Sequence, residues 1–159
     1  MPGITPCLWF DGVAEEAAAF YANLIPDSRV ERVDRSPIDT PSGQAGSVLT
    51  VEFVLYGQRF LGLNGGPHFK FSEAVSFILE CEGQDEVDRY WAALCEGGQP
   101  GPCGWLKDRY GLSWQIVPRE ALAMWRDPDQ ARAARAMGAI MEMGKLDVAA
   151  IRRAYEGAA

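Results

Sequence analysis

The side chains able to do chemistry are few. The single histidine, His68, lies in Gly65-Gly66-Pro67-His68-Phe69, and the four cysteines, Cys7, Cys81, Cys95 and Cys103, share no Cys-x-x-Cys spacing. An unperturbed imidazole titrates near neutrality, so His68 is a candidate general base, with fixing its own loop by hydrogen bonding as the alternative. Cys103, after Gly101-Pro102, is a candidate nucleophile if a base lies nearby, but no dyad spacing is visible. The thiols otherwise read as reduced and mostly buried, and scattered Cys with one His lack zinc-ligand spacing. Residues 104–118, GWLKDRYGLSWQIVP, read as a short strand, a turn at 108–111 and a strand over 112–117 stopped by Pro118. Alternation puts Leu112, Trp114 and Ile116 on one face, beneath a helix, and Ser113, Gln115 and Val117 on the other. A mid-strand amide needs a partner or a ligand, so Gln115 is expected to look into a cavity. Lys107-Asp108 reads as a solvated turn pair.

The elements that must position these groups follow from the same patterning. Residues 4–10 read as a strand, 13–24 as an Ala-rich helix with Phe20, Tyr21 and Leu24 on its apolar face, and 28–33 as a second strand. Residues 36–46, rich in Pro and Gly, form a connector or a lid. Two strands over 47–55 and 58–64 meet at Tyr56-Gly57 as a hairpin, with Leu61 and Leu63 inward and Phe60, Gly62 and Asn64 on the opposite, cavity face. Residues 74–81 are a strand, 85–96 a helix bearing Val87, Tyr90, Trp91 and Leu94, and the strand pair to 117 follows. Strand, helix with an aromatic pair and then Leu, and short strands recur about 70 residues apart, as Phe20-Tyr21…Leu24 and Tyr90-Trp91…Leu94. That spacing describes a duplicated βαβββ unit. The expected fold class is α+β: two βαβββ modules, 1–66 and 74–118, forming curved mixed sheets around a cleft, with a helical tail over 119–159. Asp127-Pro128 and Asp147 are expected to start two tail helices.

Composition excludes several partners. With 159 residues, 48% hydrophobic, 23% charged and a net charge of −7, the chain has the profile of a soluble globular domain. The acidic balance argues against nucleic acid and anionic membranes, which require a basic patch. No apolar run approaches the roughly 20 residues of a membrane span and the start lacks a signal-peptide pattern, so a cytoplasmic location is expected.

Three stretches, LWFDGVAEEAAAFY, LGLNGGPHFKF and GWLKDRYGLSWQIVP, together with the tail MGAIMEMGKLDVAAIRRAYEG, resemble the PhnB-like branch of the vicinal oxygen chelate superfamily. That superfamily holds the glyoxalases, bleomycin-resistance proteins and extradiol dioxygenases. The branch often carries the name 3-demethylubiquinone-9 3-methyltransferase. The residues do not support a methyl-transfer site: Gly62–Gly66 ends a hairpin and leads into Pro67, not into a nucleotide-binding helix. The resemblance places four metal seats at Cys7 (or Thr5), Gly62, Ser76 and Gln115. Only Gln115 is a usual ligand type there, so no metal and no cofactor are expected. The resemblance implies a homodimer. The residues left facing the cavity describe a pocket for a small molecule, walled by Trp9, Phe60, Ile78 and Trp105, with filling of the cup as core the alternative. Asn64, Ser76, Ser113, Gln115 and Cys103 supply sparse polar groups, and His68 sits at the edge. Two readings stay open, ahead of a purely structural role. One is a metal-free small-molecule-binding protein. The other is an enzyme acting on a small aromatic or quinone-like substrate, through a metal held differently or through His68 or Cys103.

Overall fold

The computed structural model describes residues 2–158 and divides into two compact units, Met1–Phe71 and Ser72–Ala159. Each unit carries one four-stranded mixed sheet, and the chain holds five helices among the described residues.

In the first unit, β1 (Cys7–Phe10) leads into α1 (Ala14–Leu24), then β2 (Arg29–Arg35), β3 (Val48–Leu55) and β4 (Gln58–Asn64). The sheet order is β1-β4-β3-β2, with β1 parallel to β4 and the other pairs antiparallel. Helix α1 forms because Ala14, Ala17 and Ala18 cost no side-chain entropy and let the helix sit close on the sheet. Tyr21 on the same stripe is fully buried and stacks near Phe53. Val13 cannot cap the helix with its side chain; instead Asn64, at the end of β4, accepts from the Ala14 backbone N–H at 2.9 Å. A tertiary contact thus satisfies a helix-end donor that the local sequence leaves open. At the sheet edge, β2 carries Arg29, Glu31, Arg32, Asp34 and Arg35, charges that discourage pairing with a further strand. Residues 36–46 fold back on their own ends: Ser36 N–H donates to the Ser47 carbonyl and Gly46 N–H to the Ser36 carbonyl.

The second unit repeats the plan. It comprises β5 (Ser76–Cys81), α2 (Gln84–Cys95), β6 (Gln99–Pro100), β7 (Trp105–Lys107) and β8 (Ser113–Pro118), in the order β5-β8-β7-β6. Val87, Tyr90 and Leu94 of α2 are buried against the face that holds Leu79, Leu106, Leu112, Trp114 and Ile116. The pleat therefore sends Ser113 and Gln115 to the other face, as the alternation requires.

Three tail helices follow: α3 (Arg119–Trp125), α4 (Gln130–Met141) and α5 (Val148–Glu156). Ala121, Met124, Ala136, Ile140, Leu146 and Ile151 form their shared core. Asp147 caps α5, accepting from Ala150 N–H. At α4 the cap is Asp129, which accepts from Ala131 and Arg132 N–H, and not Asp127 as the Asp-Pro pair suggested. Asp127 instead accepts from the Tyr155 hydroxyl and from Asp129 N–H, tying α5 to the start of α4. The tail docks on α2 through Gln84, whose amide donates to the Leu146 carbonyl and accepts from Val148 N–H.

Candidate functional site

The second unit contains a cavity of about 590 Å³ on the open face of its sheet. Its floor comes from β7 and β8. Trp105 pairs with Gln115 and Lys107 with Ser113 across the antiparallel ladder, and directly opposed residues share a face. Pro100, Pro102 and Met141 add apolar walls, and Glu73 stands at the rim, where its carboxylate meets the Lys107 ammonium at 2.5 Å. That contact, chiefly the hydrogen bond from Lys107, holds the Glu73 carboxyl below its ordinary range.

Ser113 is the decisive polar group. It is 1% exposed, it lines the cavity, and its Oγ has no hydrogen-bond partner among the described residues. Buried hydroxyls almost always find a partner, and in this cavity wall the Ser113 hydroxyl finds none among the described residues.

One wall is built by the tail. Cys103 N–H donates to the Met143 carbonyl at 2.7 Å and Gly104 N–H to the Gly144 carbonyl at 2.8 Å. Both residues are left-handed, at φ 58 and 82, and for Cys103 that conformation costs about 1–2 kcal/mol, which these bonds offset. Gly104 has little choice, since a Cβ there would press on the Ile116 carbonyl at 3.0 Å and on Leu146. The Cys103 thiol lies against Met141, 3.7 Å from its Sδ.

The turn between β7 and β8 is set by Asp108. Far from being solvated, it is 3% exposed: Oδ1 accepts from Tyr110 and Leu112 N–H, and Oδ2 from Trp114 Nε1–H at 2.9 Å. This buried carboxylate fixes the register that places Lys107 beside Ser113.

Of the residues singled out from sequence for ligand contact, Cys103, Trp105 and Ser113 line this cavity. Gln115 does not; it lies on the same face one pair further along, and its amide donates to Ser76 Oγ at 2.9 Å. Ile78 is on that face as well and is 57% exposed. The reading of β4 was inverted. Phe60 and Asn64 are buried, a Cβ at Gly62 would lie 3.2 Å from Ala14 of α1, and Leu61 and Leu63 take the open face. The alternation was right but its phase was not, because Asn64 is needed at the helix end. Cys7 is exposed, paired with Leu61. Trp9 is committed to the 65–69 loop: its Nε1–H donates to the Gly66 carbonyl and its ring meets Phe69 edge-on, while exposed His68 lies in the same loop. Lys107, Glu73, Pro100 and Met141 were missed. Strand alternation from Trp105 was the available signal for Lys107, whereas Met141 had none.

The metal seats suggested by the resemblance divide between the units, Cys7 and Gly62 in the first, Ser76 and Gln115 in the second. Gly62 points at α1, Ser76 and Gln115 are bonded to each other, and the open-face alternatives on β4 are leucines. Among the described residues no group of three or more His, Cys, Asp or Glu is arranged to hold a metal ion.

Residues 2–117 match the family model described as 3-demethylubiquinone-9 3-methyltransferase. The chain belongs to this family. Among solved structures, a PhnB protein from Bacillus cereus, described as a putative 3-demethylubiquinone-9 3-methyltransferase, is 32% identical with a TM-score of 0.65. The match covers 74% of this chain and 99% of that one. A protein from Pseudomonas aeruginosa shares the fold at 20% identity and a TM-score of 0.62, over 74% of this chain and 98% of its own. No curated protein matches. The fold is thus that of the PhnB-like family, and the family match ends at residue 117, before α3–α5. The tail motif, read from sequence as part of the resemblance, lies outside it.

Proposed function

We propose that this PhnB-like protein binds a small molecule, without a metal, in the cavity of its second unit. The observation that carries this reading is the orphan Ser113 hydroxyl in a mostly apolar wall with Trp105. Ligand sites are typically of roughly 300–1,000 Å³ and pair apolar walls with a few oriented polar groups, a description that a cavity of about 590 Å³ meets. The methyltransferase of the family description is not adopted. The two parallel strands that lead through a turn into helices, β1 through Asp11-Gly12-Val13 and β5 through Glu82-Gly83, carry one glycine each and not the glycine-rich turn of a dinucleotide site, and β4 leads into Gly65, Gly66 and Pro67 instead of a helix.

The test is native mass spectrometry of protein purified without chelator, coupled to metal analysis. A noncovalent organic adduct with no stoichiometric metal is the expected result; a stoichiometric transition metal would overturn the metal-free reading. A second reading, an enzyme acting on a small aromatic or quinone-like substrate, draws on the Cys103 thiol in the cavity wall. Conversion of the co-purified molecule on incubation would favour it. A homodimer belongs to the same proposal: Val75 and Ile78, 63% and 57% exposed, are apolar surface that a second copy would cover. A monomer in sedimentation at micromolar concentration would remove it.

A further inference from the structure

The geometry points to a ligand class: we propose that the cavity takes an organic monoanion, a flat apolar body carrying one carboxylate, with the carboxylate seated between Ser113 Oγ and Lys107 Nζ. The inference rests on the cavity being the binding site and adds to it the charge of what enters.

Lys107 and Ser113 are directly opposed on β7 and β8 and both line the cavity. Opposed Cβ atoms lie about 4.5–5.5 Å apart, so a group held at Ser113 is within reach of the ammonium if the flexible lysine stem swings away from Glu73. A carboxylate has two acceptor oxygens and can take one bond from each. Charge-assisted bonds of this kind are roughly twice as strong as neutral ones, and here they would also satisfy the orphan hydroxyl. A neutral carbonyl could use Ser113 and would gain far less from Lys107, whose charge it does not neutralise.

The present counter-ion of Lys107 is replaceable. Glu73 is 62% exposed in its side chain, and an ion pair exposed to this degree contributes little to stability because water and salt screen it. Exchanging Glu73 for a ligand carboxylate keeps the ammonium paired while moving the new pair inside the cavity, where water screens it less. One lysine, without a neighbouring arginine in the wall, matches a single negative charge better than a phosphate dianion. The body of the ligand lies against Trp105 and Met141, a flat ring and a soft thioether that suit an aromatic or conjugated skeleton.

The probes are 2-naphthoate and its neutral isostere 2-naphthamide, titrated calorimetrically into the full chain at neutral pH and low salt. Naphthoate should bind at least tenfold more tightly. Lys107→Met should remove that advantage and leave naphthamide unchanged, Ser113→Ala should weaken both, and Glu73→Gln should tighten naphthoate by freeing the ammonium. Equal or tighter binding of naphthamide, or full naphthoate affinity in Lys107→Met, would overturn the anion class while leaving the cavity as a binding site. Binding of neither probe would overturn both readings.

Discussion

Replacing Asp108 by alanine is the sharpest test of how the site is held. The change removes the acceptor for three donors: Tyr110 N–H, Leu112 N–H and Trp114 Nε1–H. Tyr110 is half-buried and can turn to water, but Leu112 and Trp114 are 2% and 3% exposed, so two donors stay buried without partners. At about 1–3 kcal/mol for each unsatisfied buried donor, Asp108→Ala should cost about 2–6 kcal/mol. For a chain of this size, at about 2–4 °C per kcal/mol, that corresponds to a melting temperature lower by roughly 4–24 °C. Asp108→Asn keeps Oδ1 for the backbone donors but turns an amide N–H toward the indole, so it should cost about 1–3 kcal/mol. Urea unfolding followed by tryptophan fluorescence reads both, as a midpoint shift at unchanged slope. Lys107→Ala, one residue earlier in a rim ion pair, is the control and should cost no more than about 1 kcal/mol. Asp108→Ala within about 0.5 kcal/mol of the parent would refute the account of a buried carboxylate organising the β7–β8 turn, and with it the placement of Lys107 beside Ser113.

Three further outcomes are expected. Trp114→Ala should cost about 3–5 kcal/mol, because it opens a cavity beneath α2 beside Phe77; Gln115→Ala loses one part-buried bond to Ser76, about 0.5–1.5 kcal/mol. Chemical denaturation that returned the opposite order would mean the face assignment of β8 is inverted. Burial, and secondarily the Glu86 charge, push the Cys81 thiol up from 9.0 to about 12. Since the unfolded chain releases this proton first, stability should be unaffected below about pH 9 and decline from there toward pH 12. Cys81 should also resist a thiol reagent at pH 8 until denaturant is added, while exposed Cys7 reacts; prompt native labelling of Cys81 would contradict the packing.

The duplicated βαβββ plan was legible because it rests on local rules. Alternation marked β3, β4 and β8, the Ala-rich stripe with Tyr21 marked α1, and Val87, Tyr90 and Leu94 marked α2. The side chains of β8 fell on the expected faces because a single helix, α2, covers only one of them. Strand phase in β4 was not legible, since Phe60-Leu61-Gly62-Leu63-Asn64 is apolar on both faces and only the need for Asn64 at the Ala14 N–H chooses between them. Asp108 looked like a turn residue and is one, but its burial depends on the Trp114 indole reaching back six positions, a contact no spacing rule announces. The cavity itself belongs to tertiary structure. Its wall joins Glu73, the β6–β7 connection and Met141, residues far apart in sequence that meet only after α3–α5 dock on the 101–104 loop. Periodicity records which face of an element is apolar; it carries no information about which distant element will cover that face or leave a hydroxyl such as Ser113 without a partner.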